Sequence, residues 1–168
     1  TGPLVQKVPY DVQKDLAPIT LMSKQHSMIS VHPAFPARTL AEYLAYARAN
    51  PGKINYSSSG VFGTLHVAME MFAGAAGIQL FHIPYQGGGP AVTALLGGQV
   101  QALASGPAAA VGQIQAGKMR ALAGWGAKRL ALMPDLPTFM ELGYKDVEFY
   151  IWAGVVAPAA IPPNVQHR

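Results

Sequence analysis

Apolar positions along this chain recur with two alternating periods. Leu40, Tyr43, Leu44 and Ala47 are spaced three and four apart, as are Leu65, Ala68, Met69 and Phe72; that spacing puts each set on one face of a helix and marks it as core. Thr39-Leu40-Ala41-Glu42 fits a capping box, and Asn50-Pro51-Gly52 carries helix-stop residues, which predicts a helix from 40 to about 49. Between such stretches lie short β-rich runs at 28–31, 54–57, 79–83, 100–104 and 119–125, with further helices predicted at 64–73, 90–96 and 107–115. Strands alternating with helices in this way predict an α/β fold, a right-handed and mostly parallel sheet flanked by helices. Ligands of such sheets bind outside the carboxyl ends of the strands. Further on, Pro134-Asp135-Leu136-Pro137-Thr138 reads as a loop and cap before a short helix ending near Gly143; 147–156 is β-rich, and 157–163 is a Pro-rich exit.

The loops at the predicted carboxyl ends are made of small residues. Ser57-Ser58-Ser59-Gly60-Val61-Phe62-Gly63-Thr64, Tyr85-Gln86-Gly87-Gly88-Gly89-Pro90 and Ser105-Gly106-Pro107 each lead into a helix. Glycine there lets the main chain approach a ligand closely, and the unpaired N–H groups and positive dipole end of a helix N-terminus favour an anion. A small carboxylate or phosphate is the natural guest. The bland alternative is that the same residues only make tight turns and caps. Phe62 stands out as a bulky residue inside a loop of small ones, whereas Trp125, Tyr85, Tyr150 and Trp152 lie at strand ends, where aromatics more often fill the core than line a pocket.

Charge sharpens this picture. The 168 residues carry a formal +4 with pI near 9.4, yet only 12% are charged and 51% are hydrophobic, a profile of a compact domain rather than of disorder. Basic residues are scattered, which argues against nucleic acid, whose binding needs clustered Lys and Arg. No Asp or Glu occurs from Met71 through Pro134, while Lys118, Arg120, Lys128 and Arg129 fall inside that span; if the loops share a cleft, its field is positive. Arg129 reads as part of a solvated turn whose guanidinium could hold a loop carbonyl. Cysteine is absent, so disulfides and thiolate chemistry are excluded. The start at Thr1-Gly2-Pro3 suggests an internal fragment.

Chemical motifs are sparse. There is no G-x-x-x-x-G-K-[ST] loop, Gly60-Val61-Phe62-Gly63 is not G-x-G-x-x-G, and no acid follows at the distance a ribose needs, so no nucleotide cofactor is expected. No G-x-S-x-G elbow accompanies the serines. A hydrolase of small esters using a loop serine with His66 or His82 stays an alternative, against hydrogen-bonded structural imidazoles. The five histidines show no metal spacing, and no metal is expected. A purely structural interaction domain is the third class.

Taken together, Tyr10-Asp11 with Lys14-Asp15-Leu16-Ala17-Pro18-Ile19, Asn50-Pro51-Gly52-Lys53-Ile54-Asn55-Tyr56-Ser57-Ser58-Ser59-Gly60, Pro84-Tyr85-Gln86-Gly87, Leu96-Gly97-Gly98-Gln99-Val100, Ala116-Gly117-Lys118-Met119-Arg120-Ala121-Leu122-Ala123, Arg129 and Pro134-Asp135-Leu136-Pro137-Thr138 resemble the Bug family. These are the periplasmic solute-binding receptors of tripartite tricarboxylate transporters. The resemblance implies one lobe of a type II periplasmic-binding-protein (Venus flytrap) fold, no enzyme activity, a small organic acid as ligand, and the transporter's membrane components as partners. It implies that residues 22–156 form the second, ligand-binding domain, with 1–21 a crossover segment and 157–168 a return segment toward the missing first domain. By position, the ligand contacts are Ser57, Ser58, Ser59, Gly60, Phe62, Gly63 and Thr64, with Tyr85, Gly87, Gly88 and Ser105. Members often carry an Asp, able to hold a ligand amine, where this chain has Ser105; the replacement weakens the case for an amino acid and favours a purely anionic or neutral-plus-anionic ligand.

Overall fold

The computed structural model describes residue 5 and residues 7–162. Its strands are β1 (Leu16–Val31), β2 (Asn55–Ser58), β3 (Phe81–Pro84), β4 (Ala102–Ser105), β5 (Arg120–Trp125) and β6 (Tyr150–Pro158), and its helices are α1 (Leu40–Ala49), α2 (Thr64–Ala76), α3 (Gly88–Leu96) and α4 (Pro107–Gln115). The central sheet has the order β3-β2-β4-β1-β5. β2 is parallel to β3 and β4, while β1 runs antiparallel to both β4 and β5. The mostly parallel α/β sheet expected from the sequence is present, with one reversed strand set into its middle.

That strand does two jobs. Its last five residues, Ser27 to Val31, are buried and pair with β4 and β5, whereas Leu16 to His26 pair with β6 as a two-stranded ribbon. The ribbon is largely exposed, with Leu21 59%, Met22 70% and Trp152 62% accessible. The expected boundaries at residues 21/22 and 156/157 fall within this continuous pairing. Residues 1–4, 6 and 163–168 of the expected flanking pieces lie outside the described residues.

Helices cover both faces of the sheet. On one, α1 and α2 bury Tyr43, Met69 and Phe72 against Ile29, Tyr56 and Trp125; on the other, Ala91, Leu95 and Ala110 of α3 and α4 pack on Met28 and Leu103. The capping box of α1 forms in part: Glu42 N–H donates to Thr39 Oγ1 at 3.2 Å, but the Glu42 carboxylate takes the N–H of Arg38 rather than that of Thr39. α2 runs three residues past the predicted end and stops at Gly77, whose φ of 63° is the left-handed C-terminal signal. The short helix expected before Gly143 is a correction. Thr138 and Glu141 exchange reciprocal bonds (3.1 and 2.8 Å), yet the segment makes only hydrogen-bonded turns before a 3-10 turn at Lys145–Val147.

Candidate functional site

Three helix N-termini meet along one edge of the sheet. β2, β3 and β4 all end there and hand the chain to α2, α3 and α4 through residues 59–63, 85–87 and 106. Because β1 is reversed, Met28 sits opposite Ser105 and Ser27 opposite Trp125, so the β1–β6 ribbon leaves from this same edge. Gly63, Gly87 and Gly106 are the N-caps, and none supplies a side-chain cap, which leaves the first-turn amides for an external acceptor. Gly87 needs its φ of 103° to turn into α3. The loops touch: Tyr85 N–H donates to Ser58 O at 3.1 Å, and a Cβ on Gly60 would lie 3.9 Å from Tyr85 O.

Ser57 and Ser58 are fully buried. Ser57 Oγ donates to Ala91 O at 3.1 Å and ties β2 to α3. Ser58 Oγ lies 2.7 Å from His82 Nε2 and 3.2 Å from Gly60 O, on the opposite face. Ser59, Gly60, Gly63 and Thr64 are partly exposed, and Phe62 is 48% exposed at φ 58°, the one non-glycine residue with positive φ among the described residues. Tyr85, Gly87 and Gly88 are partly exposed, with the Tyr85 hydroxyl 3.4 Å from Gln99 Oε1. Ser105 is buried beside the N-cap of α4, and its Oγ has no protein partner. The structure thus brings together at one edge every ligand contact named from the sequence, but Ser57, Ser58 and Ser105 are buried.

Sequence reasoning missed the layer beneath the serine loop. His66 and His82 stack with ring centroids 3.9 Å apart, and Tyr56 stacks on His82 at 4.8 Å. Phe62 N–H donates to His66 Nδ1 (3.0 Å), so the imidazole proton sits on Nε2, which faces Glu70 at 3.8 Å; Tyr56 OH donates to the same Glu70 oxygen at 2.6 Å. Burial, and then the neighbouring His66, push the pKa of His82 down to about 4, against a smaller upward pull from Glu70. Burial first, then the Glu70 bond, raise Tyr56 above the usual phenol range. The 2.7 Å Ser58–His82 contact resembles a nucleophile with its base, but Ser58 is closed to substrate and the described residues place no carboxylate on His82 Nδ1. The i, i+4 pair His66 and Glu70 was the sequence signal for this layer.

The cations separate. Arg120 pairs with Val31 at the far edge and donates to Ala37 O at 3.1 Å, so it adds nothing to the loop edge; Lys128 and Arg129 follow Trp125 on the near side. Arg129 holds Glu141 at 2.9 Å and the Pro134 carbonyl at 2.9 Å, the loop-carbonyl role expected of it. Trp125 is core and Trp152 is exposed on the ribbon. A hollow of about 560 Å³ lies between the ribbon base (Lys24, His26) and the first turn of α4 (Pro107, Ala108). A second concavity, of about 660 Å³, lies away from the loops, between the start of α1 and β5. No group of three or more His, Cys, Asp or Glu among the described residues is placed to hold a metal ion, and no helix among them is long and apolar enough to cross a membrane.

The tripartite tricarboxylate transporter family receptor (TctC) family matches residues 1–168. A UPF0065 protein in the gbd 5′ region of Cupriavidus necator is 41% identical over 166 residues, covering 99% of this chain and 50% of that protein. BugT of Bordetella pertussis is 32% identical over 162 residues, covering 96% of this chain and 50% of that protein. The chain spans about half the length of these curated relatives. Among solved structures, one described as a periplasmic transporter superimposes with a TM-score of 0.89 at 37% identity, over 96% of this chain and 54% of that one. R. palustris Rpa4515 with adipate gives 0.88 at 28% identity (96% and 54%), and MatC from Rhodopseudomonas palustris with bound malate gives 0.87 at 25% (97% and 55%).

Proposed function

The chain belongs to the receptor family of tripartite tricarboxylate transporters, the Bug family of its motifs, and from that premise we propose that it is one lobe of a periplasmic receptor that captures a small organic acid. The ligand is held between this lobe's loop edge and a second lobe, then delivered to the membrane components of the transporter by hinge opening. The observation that carries the reading is the convergence of three uncapped helix N-termini on the edge from which the β1–β6 ribbon departs. Residues 1–21 and 157–168 then belong with the other lobe, and the ribbon is the crossing.

Backbone amides of Ser59, Gly63, Thr64 and Gly88 are the contacts, with the Ser105 hydroxyl, a buried group beside the N-cap of α4 that has no protein partner, while the Gly60 amide turns back to Ser58 Oγ at 3.4 Å. Ser57 and Ser58 act from below as anchors, Phe62 and Tyr85 as walls. Adipate and malate in two structural neighbours support a dicarboxylate, and the absence of a carboxylate at position 105 suits it. The test is thermal unfolding of the complete two-lobe receptor beside this chain, with mono-, di- and tricarboxylates and amino acids. A bound acid at a hundred times Kd should stabilise the receptor by roughly 2.7 kcal/mol, with little effect on the single lobe. No shift with any anion overturns the proposal.

A further inference from the structure

We propose that His66 is the positioning residue of the serine loop, setting which backbone amides it presents. The inference rests on the receptor reading for its consequence on binding, but not for the loop geometry. Phe62 is held at φ 58°, a left-handed conformation that L-residues with bulky side chains rarely adopt, and its ring is half in solvent, so packing alone does not secure it. What secures it is the bond from its N–H to His66 Nδ1 at 3.0 Å, made from the first turn of α2 back into the loop. The bond requires the Nε2–H tautomer. Glu70, one turn on at 3.8 Å and itself fixed by the Tyr56 hydroxyl at 2.6 Å, favours that tautomer. His82, stacked on His66 at 3.9 Å and 12° and anchored 2.7 Å from Ser58 Oγ, stops the ring from tilting.

The Phe62 amide is thereby withdrawn from the ligand. The amides on either side of it, of Val61 and Gly63, have no acceptor among the described residues, and the turn at Phe62 fixes where they face. His66 therefore acts through the loop without touching the ligand.

Two substitutions separate this role from packing. In His66→Asn the amide oxygen falls near the place of Nδ1 and can still accept from Phe62; in His66→Gln the amide end reaches the Nε2 place beside Glu70 and the Phe62 acceptor is lost. Amide exchange of Phe62, and the His66 ring ¹⁵N spectrum for the tautomer, are read on this chain; affinity for malate or adipate is read on the complete receptor. The expected result is a Phe62 amide exchanging about tenfold faster and a dicarboxylate bound about tenfold more weakly in His66→Gln, with His66→Asn near wild type. Equal behaviour of the two variants, or an unchanged Phe62 amide in His66→Gln, overturns the proposal. If wild type binds no dicarboxylate while the exchange contrast holds, the receptor reading fails and the positioning role stands.

Discussion

Acid should destabilise this lobe through His82. In the folded chain the ring lies between Tyr56 and His66, and burial with the adjoining His66 lowers its pKa to about 4; in the unfolded chain it titrates near 6.5. Unfolding therefore takes up a proton between these values. The stability that the neutral ring allows is complete above about pH 6.5 and is lost as pH falls toward about 4. A displacement of that size corresponds at its limit to roughly 3 kcal/mol. The ring keeps some solvent contact, which screens the effect to about 1–2 kcal/mol, or roughly 2–8 °C in midpoint for a domain of this size. His82→Gln is the reference, since its amide can still reach Ser58 but does not titrate. Urea unfolding of both proteins from about pH 7 to about pH 4.5 should show the wild type losing about 1–2 kcal/mol more than the variant. Parallel curves would refute the argument, because they would mean that the ring is charged or uncharged alike in both states.

Gly126→Ala should cost about 2–4 kcal/mol in thermal unfolding, since a Cβ there meets three His26 ring atoms at 2.8–3.1 Å at φ 150°; adding His26→Ala should recover part of it, and strict additivity would argue against the clash. Tyr43→Phe should be neutral or stabilising by up to about 1 kcal/mol, because the buried hydroxyl has no protein partner, and a clear loss in unfolding experiments would point to a buried water there. Ser57→Ala should lower stability by about 1–2 kcal/mol through the lost bond to Ala91 O, while dicarboxylate affinity of the complete receptor, measured by calorimetry, stays within about threefold; a collapse of binding would return Ser57 to the ligand.

α1 and α2 were legible because each has one buried face with a clean helical period, Tyr43 and Ala47 on α1 and Ala68 and Phe72 on α2, and β4 because its short apolar run is buried throughout. The reversal of β1 was not. Its last residues read as an ordinary strand, and direction within a sheet depends on partners far along the chain. Nor was its extension back to Leu16 visible, since residues 17–25 are mostly exposed and are ordered by pairing with β6 more than a hundred residues later. The basic residues of the acid-free stretch divide for a similar reason. Lys118 and Arg120 share the acid-free stretch with Lys128 and Arg129, but β5 runs between them and carries the two pairs to opposite edges.

The serine loop shows most clearly how a motif divides when it folds. Ser57, Ser58 and Ser59 are adjacent in sequence, yet β2 continues through Ser58, and alternate residues of a strand face opposite sides of the sheet. Ser57 therefore faces α3 and gives its hydroxyl to Ala91, while Ser58 faces α2 and meets His82. Small hydroxyls suit both places because each must pass close to backbone while satisfying a buried polar group. Only at Ser59 is the chain free of the ladder, and from there it needs a left-handed step, at Phe62, to reach the cap of α2. The run that reads as a cluster of ligand hydroxyls is thus two anchors on opposite faces followed by a turn. It fixes the end of β2 from both sides, and leaves the amides beyond it as the proposed contacts for an anion.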